Sequence, residues 1–174
     1  MADIKINRIT NANVYSSGNS LLGRVEEVKL PAIKSIDTDV KVLGLQMAIK
    51  LHGGFESMAG SMKFNAVYPE LIKEFGSPMV TRQVQVRKSL ETYDSSGLIA
   101  QLSAVAYMTI RFKDVLPPIT LKQNENPEQE SEFNCSYYRY EIDGKRIVEI
   151  DAFTNTFFVM DNDQLATYRT NLGF

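Results

Sequence analysis

The sequence predicts a mainly β protein: an antiparallel sandwich- or barrel-like fold with one short packed α-helix and a short helix near the C-terminal end. Three observations carry this. Runs rich in Tyr, Phe, Ile and Val flank Asp143-Gly144 within Ser131–Asp151, and Asp-Gly suits the two positive-φ positions of a type I′ turn, whose twist matches that of paired strands. The runs 80–92 and 98–112 alternate apolar and polar residues, the period-two pattern of a half-buried antiparallel ribbon. In YPELIKEFG, proline sits where a first helical residue belongs and glycine just past the last, so the helix is confined to Pro69–Phe75.

The bulk numbers exclude several classes of function. A chain of 174 residues suits one domain, 1–174, and its hydrophobic share of 44% is enough for a core. Lys+Arg 19 against Asp+Glu 21 gives a net charge of -2 with no basic run, so the electrostatic footprint of a stable nucleic-acid binder is missing. One cysteine and one histidine rule out a disulfide framework and a Cys/His zinc site. The opening MADIKINRITNANVY has no long apolar core, so no signal peptide is expected, and no apolar run is long enough to span a membrane. No cofactor or metal is expected.

Taken in order, residues 1–12 are polar and weakly patterned and read as an arm. Asn13-Val14-Tyr15, the turn cluster Ser16–Ser20 and a return strand at roughly Leu21–Leu30 form a first hairpin closed by Pro31. A mostly polar strand follows at Ile33–Val40. From Lys41 to Gly60 four glycines break up apolar residues, and long irregular apolar excursions in compact domains are usually binding loops. Leu43, Leu45, Met47, Ile49, Leu51, Gly53, Gly54, Phe55 and Met58 are its candidate contact residues, and the loop is expected to protrude.

Ser61–Val67 alternates Met62, Phe64 and Ala66 against Ser61, Lys63 and Asn65. In the long ribbon, Val84, Val86, Leu90, Ala104, Met108 and Ile110 face a core. Gln83, Gln85, Arg87, Ser89, Glu91, Gln101 and Ser103 face water. Neither ribbon strand contains proline, which usually blunts exposed edges, so both are expected to offer edges to other chains. Leu121–Glu132 is polar and proline-broken and reads as a solvated loop. In the hairpin, Ile142 faces Lys145 and Glu141 faces Arg146; carried outward, that register sets Tyr140 against Ile147, Tyr138 against Glu149 and Tyr137 against Ile150. Phe133, Cys135, Tyr137, Val148 and Ile150 then share the core face. Ala152–Met160 continues in strand-like residues, and Asp161-Asn162-Asp163 caps a helix at Gln164–Asn171 stopped by Gly173.

Catalytic chemistry is nearly absent. His52-Gly53-Gly54 has the look of an esterase oxyanion turn, but no G-x-S-x-G elbow supplies a nucleophile. Asp37 and Asp39 share a strand face without further acidic ligands, and Cys135 reads as a small buried apolar residue. No enzyme is expected.

The strings NVYSSGNSLLGRVEEVKLPAI, SMKFNAVYPELIKEFG, YYRYEIDGKRIVEID and DQLATYRTNLGF together resemble the major tail tube protein of contractile-tailed bacteriophages. The resemblance is strongest over Tyr137–Phe174. It implies a structural subunit that forms hexameric rings, each chain giving strands to a ring-wide barrel; the rings stack into a hollow tube through which DNA enters the host. It implies a place in the virion after synthesis in the bacterial cytoplasm. The partners implied are further copies of the chain and the tail sheath, tape measure, baseplate and tail terminator proteins, with DNA passing without stable binding and no stable membrane association. On that reading Ser61, Lys63, Asn65, Gln83, Gln85, Arg87, Ser89, Glu91, Gln101 and Ser103 line the bore. R-type pyocin tubes and the inner tube of type VI secretion are its relatives, so a phage-derived bacteriocin or secretion tube is the alternative. A β-sandwich module gripping a ligand with Lys41–Gly60 is the reading from another class.

Overall fold

A computed structural model describes residues 4–174. In chain order its elements are β1 (Ile6–Ser16), β2 (Asn19–Ser20), β3 (Val25–Lys29), β4 (Ser35–Val40), β5 (Ile49–Phe55), β6 (Met58–Phe64), α1 (Pro69–Phe75), β7 (Arg82–Asp94), β8 (Gly97–Phe112), β9 (Ile119–Thr120), β10 (Glu128–Ile142), β11 (Lys145–Asp151), β12 (Thr156–Val159), β13 (Asn162–Asp163) and α2 (Ala166–Leu172). The fold is mainly antiparallel β, with two short helices. One large sheet runs β13-β12-β11-β10-β8-β7-β1-β2, with β6 and β9 also on β10 and β3 on β6; β4 and β5 form a separate two-stranded sheet.

The branch point is β10. Residues 133–142 pair with β8 along one edge. The other edge pairs with β6 over 129–135 and with β11 over 137–142. Three sets of strands therefore meet on one strand, and their apolar faces share a core. Met62, Val84, Val86, Ala106, Met108, Ile110 and Phe133 are buried there, so the inward face assigned to the ribbon is the inward face found. Phe75, Phe112 and Phe133 stack in series with ring centroids 4.6 and 5.8 Å apart, and α1 enters this layer through Leu71 and Phe75. Gly60 is fixed by the same packing: a Cβ there would lie 2.6 Å from the Phe133 ring and 2.3 Å from the Lys29 carbonyl. The buried Ser16 hydroxyl donates to Glu74 at 2.5 Å, and Arg82 Nε donates to the Glu74 carbonyl, tying α1 to β1 and β7.

Several expectations are corrected. Residues 1–3 of the expected arm lie outside the described residues, but from Ile6 the arm is β1, paired along β7. The return strand of the first hairpin is not its partner: only Asn19–Ser20 returns on β1, and β3 pairs with β6. The solvated loop ends at Pro127, because Gln129, Ser131 and Phe133 alternate inward and all three are buried. Two of these are small or neutral polar side chains, which disguised the strand.

In the last hairpin Asp143 and Gly144 have φ of 51° and 70°, as a type I′ turn requires. The expected register holds for Ile142↔Lys145 and Glu141↔Arg146, then slips: Tyr140 faces Val148, Tyr138 faces Ile150 and Tyr137 faces Asp151. Ile147 is the extra residue, and its carbonyl accepts the Met160 N–H at 3.0 Å. A second irregularity at Ser136, against β8, moves the inward position from Tyr137 to Tyr138. A bulge of one residue exchanges faces for everything beyond it. At the C-terminal end, Leu165, not an Asp or Asn, is the N-cap of α2; Asp163 accepts the Leu165 N–H at 3.0 Å and pairs with Arg169.

Candidate assembly surfaces

Four surfaces present chemistry that the chain does not use on itself. The first is the outward face of β7, β8, β10 and β11. Paired residues on adjacent antiparallel strands point to the same side, so Gln83 sits beside Thr109, Gln85 beside Tyr107, Arg87 beside Val105 and Ser89 beside Ser103. β1 extends the face with Asn13 and Tyr15, the latter ring lying under the Arg87 guanidinium at 5.0 Å. Across β8, the bulge at Ser136 turns Tyr137, Arg139 and Glu141 outward next to Thr109, Tyr107 and Val105. The result is an open polar concavity of about 610 Å3.

Charge on this face is close to balanced, and of its arginines Arg87 donates to the Gln85 amide oxygen at 3.1 Å while Arg139 and Arg146 sit in ion pairs. Arg139 pairs with Glu141, and Arg146 bonds Glu149 at 2.7 Å and Asp161 at 2.8 Å. Tyr137 donates to Glu149 at 2.9 Å; burial first, then that carboxylate, push its phenol up to about 12.

The structure brings Gln83, Gln85, Arg87, Ser89, Gln101 and Ser103 together on one sheet face, but not the rest of the set. Glu91 is buried on that side, accepting from Tyr93 at 2.8 Å, Gln101 at 3.0 Å and Thr10 at 3.3 Å. Those bonds, the Tyr93 hydroxyl foremost, hold its carboxyl below the usual range. It ties β1 to the ribbon instead of facing water. Ser61 and Lys63 lie across β10 from β8, in an ion-pair ladder: Lys63 bridges Glu128 at 3.2 Å and Glu26 at 3.4 Å, and the buried Ser61 donates to Glu130 at 2.8 Å. Asn65 falls after β6 and braces a turn, donating to the Gly23 carbonyl and accepting from the Tyr68 hydroxyl, both at 2.8 Å. Sequence reasoning missed Arg139 and Glu141. Their charges marked the outward positions of YYRYE, had a bulge been allowed for.

The second surface is the β4–β5 hairpin, a correction to the expected irregular loop. Only residues 41–48 are loop; 49–55 are strand, and Met58 and Gly60 belong to β6, with Met58 in the core. The register sets Val40 beside Ile49 and Thr38 beside Leu51, with Asp39–Lys50 and Asp37–His52 on the opposite side. The hairpin is therefore amphipathic, yet Ile49 and Leu51 are exposed, and so are Leu43, Leu45 and Met47 at the tip. Gly53 packs against Thr38, and a Cβ there would meet Thr38 Oγ1 at 2.3 Å. Phe55 anchors the base against Phe157 at 4.8 Å. His52 bonds the Ser35 hydroxyl at 2.7 Å in the open, with no hydrogen bond to Asp37 among the described residues.

The third surface is a strand edge. The long strands expected to be edges are interior, since β7 lies between β1 and β8, and β8 between β7 and β10. On this side of the large sheet the edge belongs to β1, where only Tyr15 and Ser16 pair with β2 and residues 6–13 have no outer partner among the described residues. Ile6 and Ile9 are exposed along it. The fourth surface is a groove between the base of the hairpin and the C-terminal segment. Cys135 lies in its floor, where burial pushes the thiol up to about 12. Among the described residues no His/Cys/Asp/Glu group fit for a metal ion is present, and no helix is long and apolar enough to cross a membrane.

A family model described as phage tail tube protein FII matches residues 6–173. Among curated proteins, the tail tube protein of Escherichia phage P2 is 26% identical over 163 residues, covering 92% of this chain and 94% of that protein. Among solved structures, the sheath-tube complex of an extracellular contractile injection system in its extended state has a chain that superposes with a TM-score of 0.53 at 13% identity. The match spans 75% of this chain and 87% of that one, a likeness of fold.

Proposed function

The chain belongs to the phage tail tube protein FII family and is a structural subunit of a contractile-type tail tube, and from that premise we propose how it assembles and what passes through it. The subunits form hexameric rings that stack into a hollow tube, 1–174 acting as one domain with no catalytic role. The observation that carries this reading is the unpaired β1 edge beside a polar, charge-balanced sheet face. An exposed strand edge recruits another chain, and a closed ring satisfies every edge at once. The face bearing Gln83, Gln85, Arg87, Ser89, Gln101 and Ser103 then lines the bore. DNA slides there without sticking, because affinity for DNA comes chiefly from unpaired cations on phosphates: Arg139 and Arg146 are already paired, and of the three arginines only Arg87, bonded to the Gln85 amide, has no carboxylate partner among the described residues.

The β4–β5 hairpin supplies the contact between copies. Two strands alone are marginal in water, and an exposed apolar stripe of this kind marks an interaction surface. The tail sheath, tape measure, baseplate and terminator proteins are the remaining partners, and the virion is the destination after synthesis in the host cytoplasm. Electron microscopy of the purified protein tests the reading: hollow rods with six-fold rings are expected, and a monomer persisting at high concentration would sink it. Rods recovered from a lysate with DNA-filled capsids identify a phage tail; rods without capsids identify a bacteriocin tube.

A further inference from the structure

We propose that the groove between the hairpin base and the C-terminal segment is the receptor for the hairpin tip of a second copy of this chain. The inference rests on the assembly reading above and assigns both halves of one of its contacts. The groove has a volume of about 820 Å3, and Phe55, Met58, Ile150, Ala152, Leu165 and Tyr168 are among its lining residues. Its floor is core-like, since Met58, Cys135 and Ile150 are buried. Its outer wall is unfinished: α2 buries none of its own residues, and Tyr168 is exposed. A shaped apolar slot walled by an unsupported helix calls for an apolar insert.

The tip, Val42-Leu43-Gly44-Leu45-Gln46-Met47, is such an insert. Leu43 is 105% exposed and Met47 76%, so these side chains touch almost nothing in their own subunit. A copy's own tip does not fill its own groove: three steps of strand from His52, which lines the rim, to Ile49 hold it roughly 10 Å beyond, at about 3.3 Å per residue. Charge selects the same partner. Lys41 and Lys50 flank the tip, and Glu56 and Asp151 lie in the groove lining. None of the four makes an ion pair among the described residues, although Asp39 stands opposite Lys50 in the strand register. Other exposed apolar segments fit less well: Met79-Val80 and Leu98-Ile99 are only pairs, and 115–121 is broken by Pro117-Pro118.

Two measurements test the assignment. In the first, Leu43→Cys and Ala152→Cys are combined in the full chain, and assembled rods are treated with a short bis-maleimide. Cys135 stays silent because its thiol is buried. A ladder of covalent multimers on a denaturing gel is expected, with none from Leu43→Cys combined with Ser103→Cys on the polar face. Rods without a ladder, or equal ladders from both pairs, overturn the groove while leaving assembly intact; absence of rods from the native chain overturns the assembly reading instead. The second measurement decides if the cysteines slow polymerisation. Leu43→Ser and Tyr168→Ala should each raise the critical concentration for rods roughly tenfold, the scale of a lost interface anchor. Residues in direct contact are not additive, so the double variant should be no worse than the worse single one. A multiplied effect on the order of a hundredfold would mean the two residues do not meet, by the same additivity rule.

Discussion

The β7–β8 ribbon and the β4–β5 hairpin are both antiparallel, both alternate apolar with polar residues, and meet opposite fates. In the ribbon one face shares a core with side chains of β6, β10 and α1, and Val86, Ala106 and Met108 are sealed. In the hairpin the equivalent stripe stays largely open: Val40 is half-buried, and Ile49 and Leu51 are exposed. Alternation states only that one face wants to leave water. Whether the subunit or a neighbour supplies the cover is set by where the pair projects, and that separates residues needed for folding from residues needed for assembly.

The largest effect should come from placing a charge on each stripe. Ile110→Glu puts an unpartnered carboxylate in the core and should cost at least about 4 kcal/mol, a large share of a domain's net stability. Leu51→Glu should leave the melting temperature near native and abolish rods. Circular dichroism melts with electron microscopy read both; equal loss of fold would erase the distinction between ribbon and hairpin. Next, Phe133→Ala should cost about 3–5 kcal/mol, as large aromatic truncations in a core do. Gly60→Ala should also destabilise, since its Cβ has no room, and urea titration measures both. Gly144→Val forces a β-branched residue to φ near 70° and should cost about 1–2 kcal/mol; an unchanged denaturation midpoint would contradict the positive-φ turn.

Replacing residues 41–48 with Asn-Gly should cost almost nothing in stability, because Val40 and Ile49 already face each other across the hairpin and Asn-Gly suits a two-residue turn. Rods should nonetheless fail to form, and rods of normal length would remove the hairpin from assembly. The smallest effect is on α2. The hydrogen bond from Arg169 holds the Asp163 carboxyl below the usual carboxylate range. A depressed folded value means the contribution is present above the unfolded value and lost as pH falls through the folded one. Amide exchange in α2 should therefore quicken selectively as pH falls below the usual carboxylate range, and Asp163→Asn should abolish that pH dependence.

The local chemistry of the sequence settled much of this protein. Proline and glycine fixed α1 at Pro69–Phe75, Asp-Gly fixed the last turn, and period-two alternation fixed the two faces of the ribbon. Each depends on neighbours within a few residues, so each is legible in a single chain. Tertiary structure decided what depends on distant partners. The bulges at Ser136 and Ile147 exchanged Tyr137 for Tyr138 in the core and turned Arg139 and Glu141 outward, because β10 must satisfy β8, β6 and β11 together. Glu91 followed the polar alternation yet is buried, since Tyr93, Gln101 and Thr10 converge on it from three strands. The free edge fell to β1 and not to the longest strands, because edge or interior is a property of the strand order, which residue patterning along one strand does not encode.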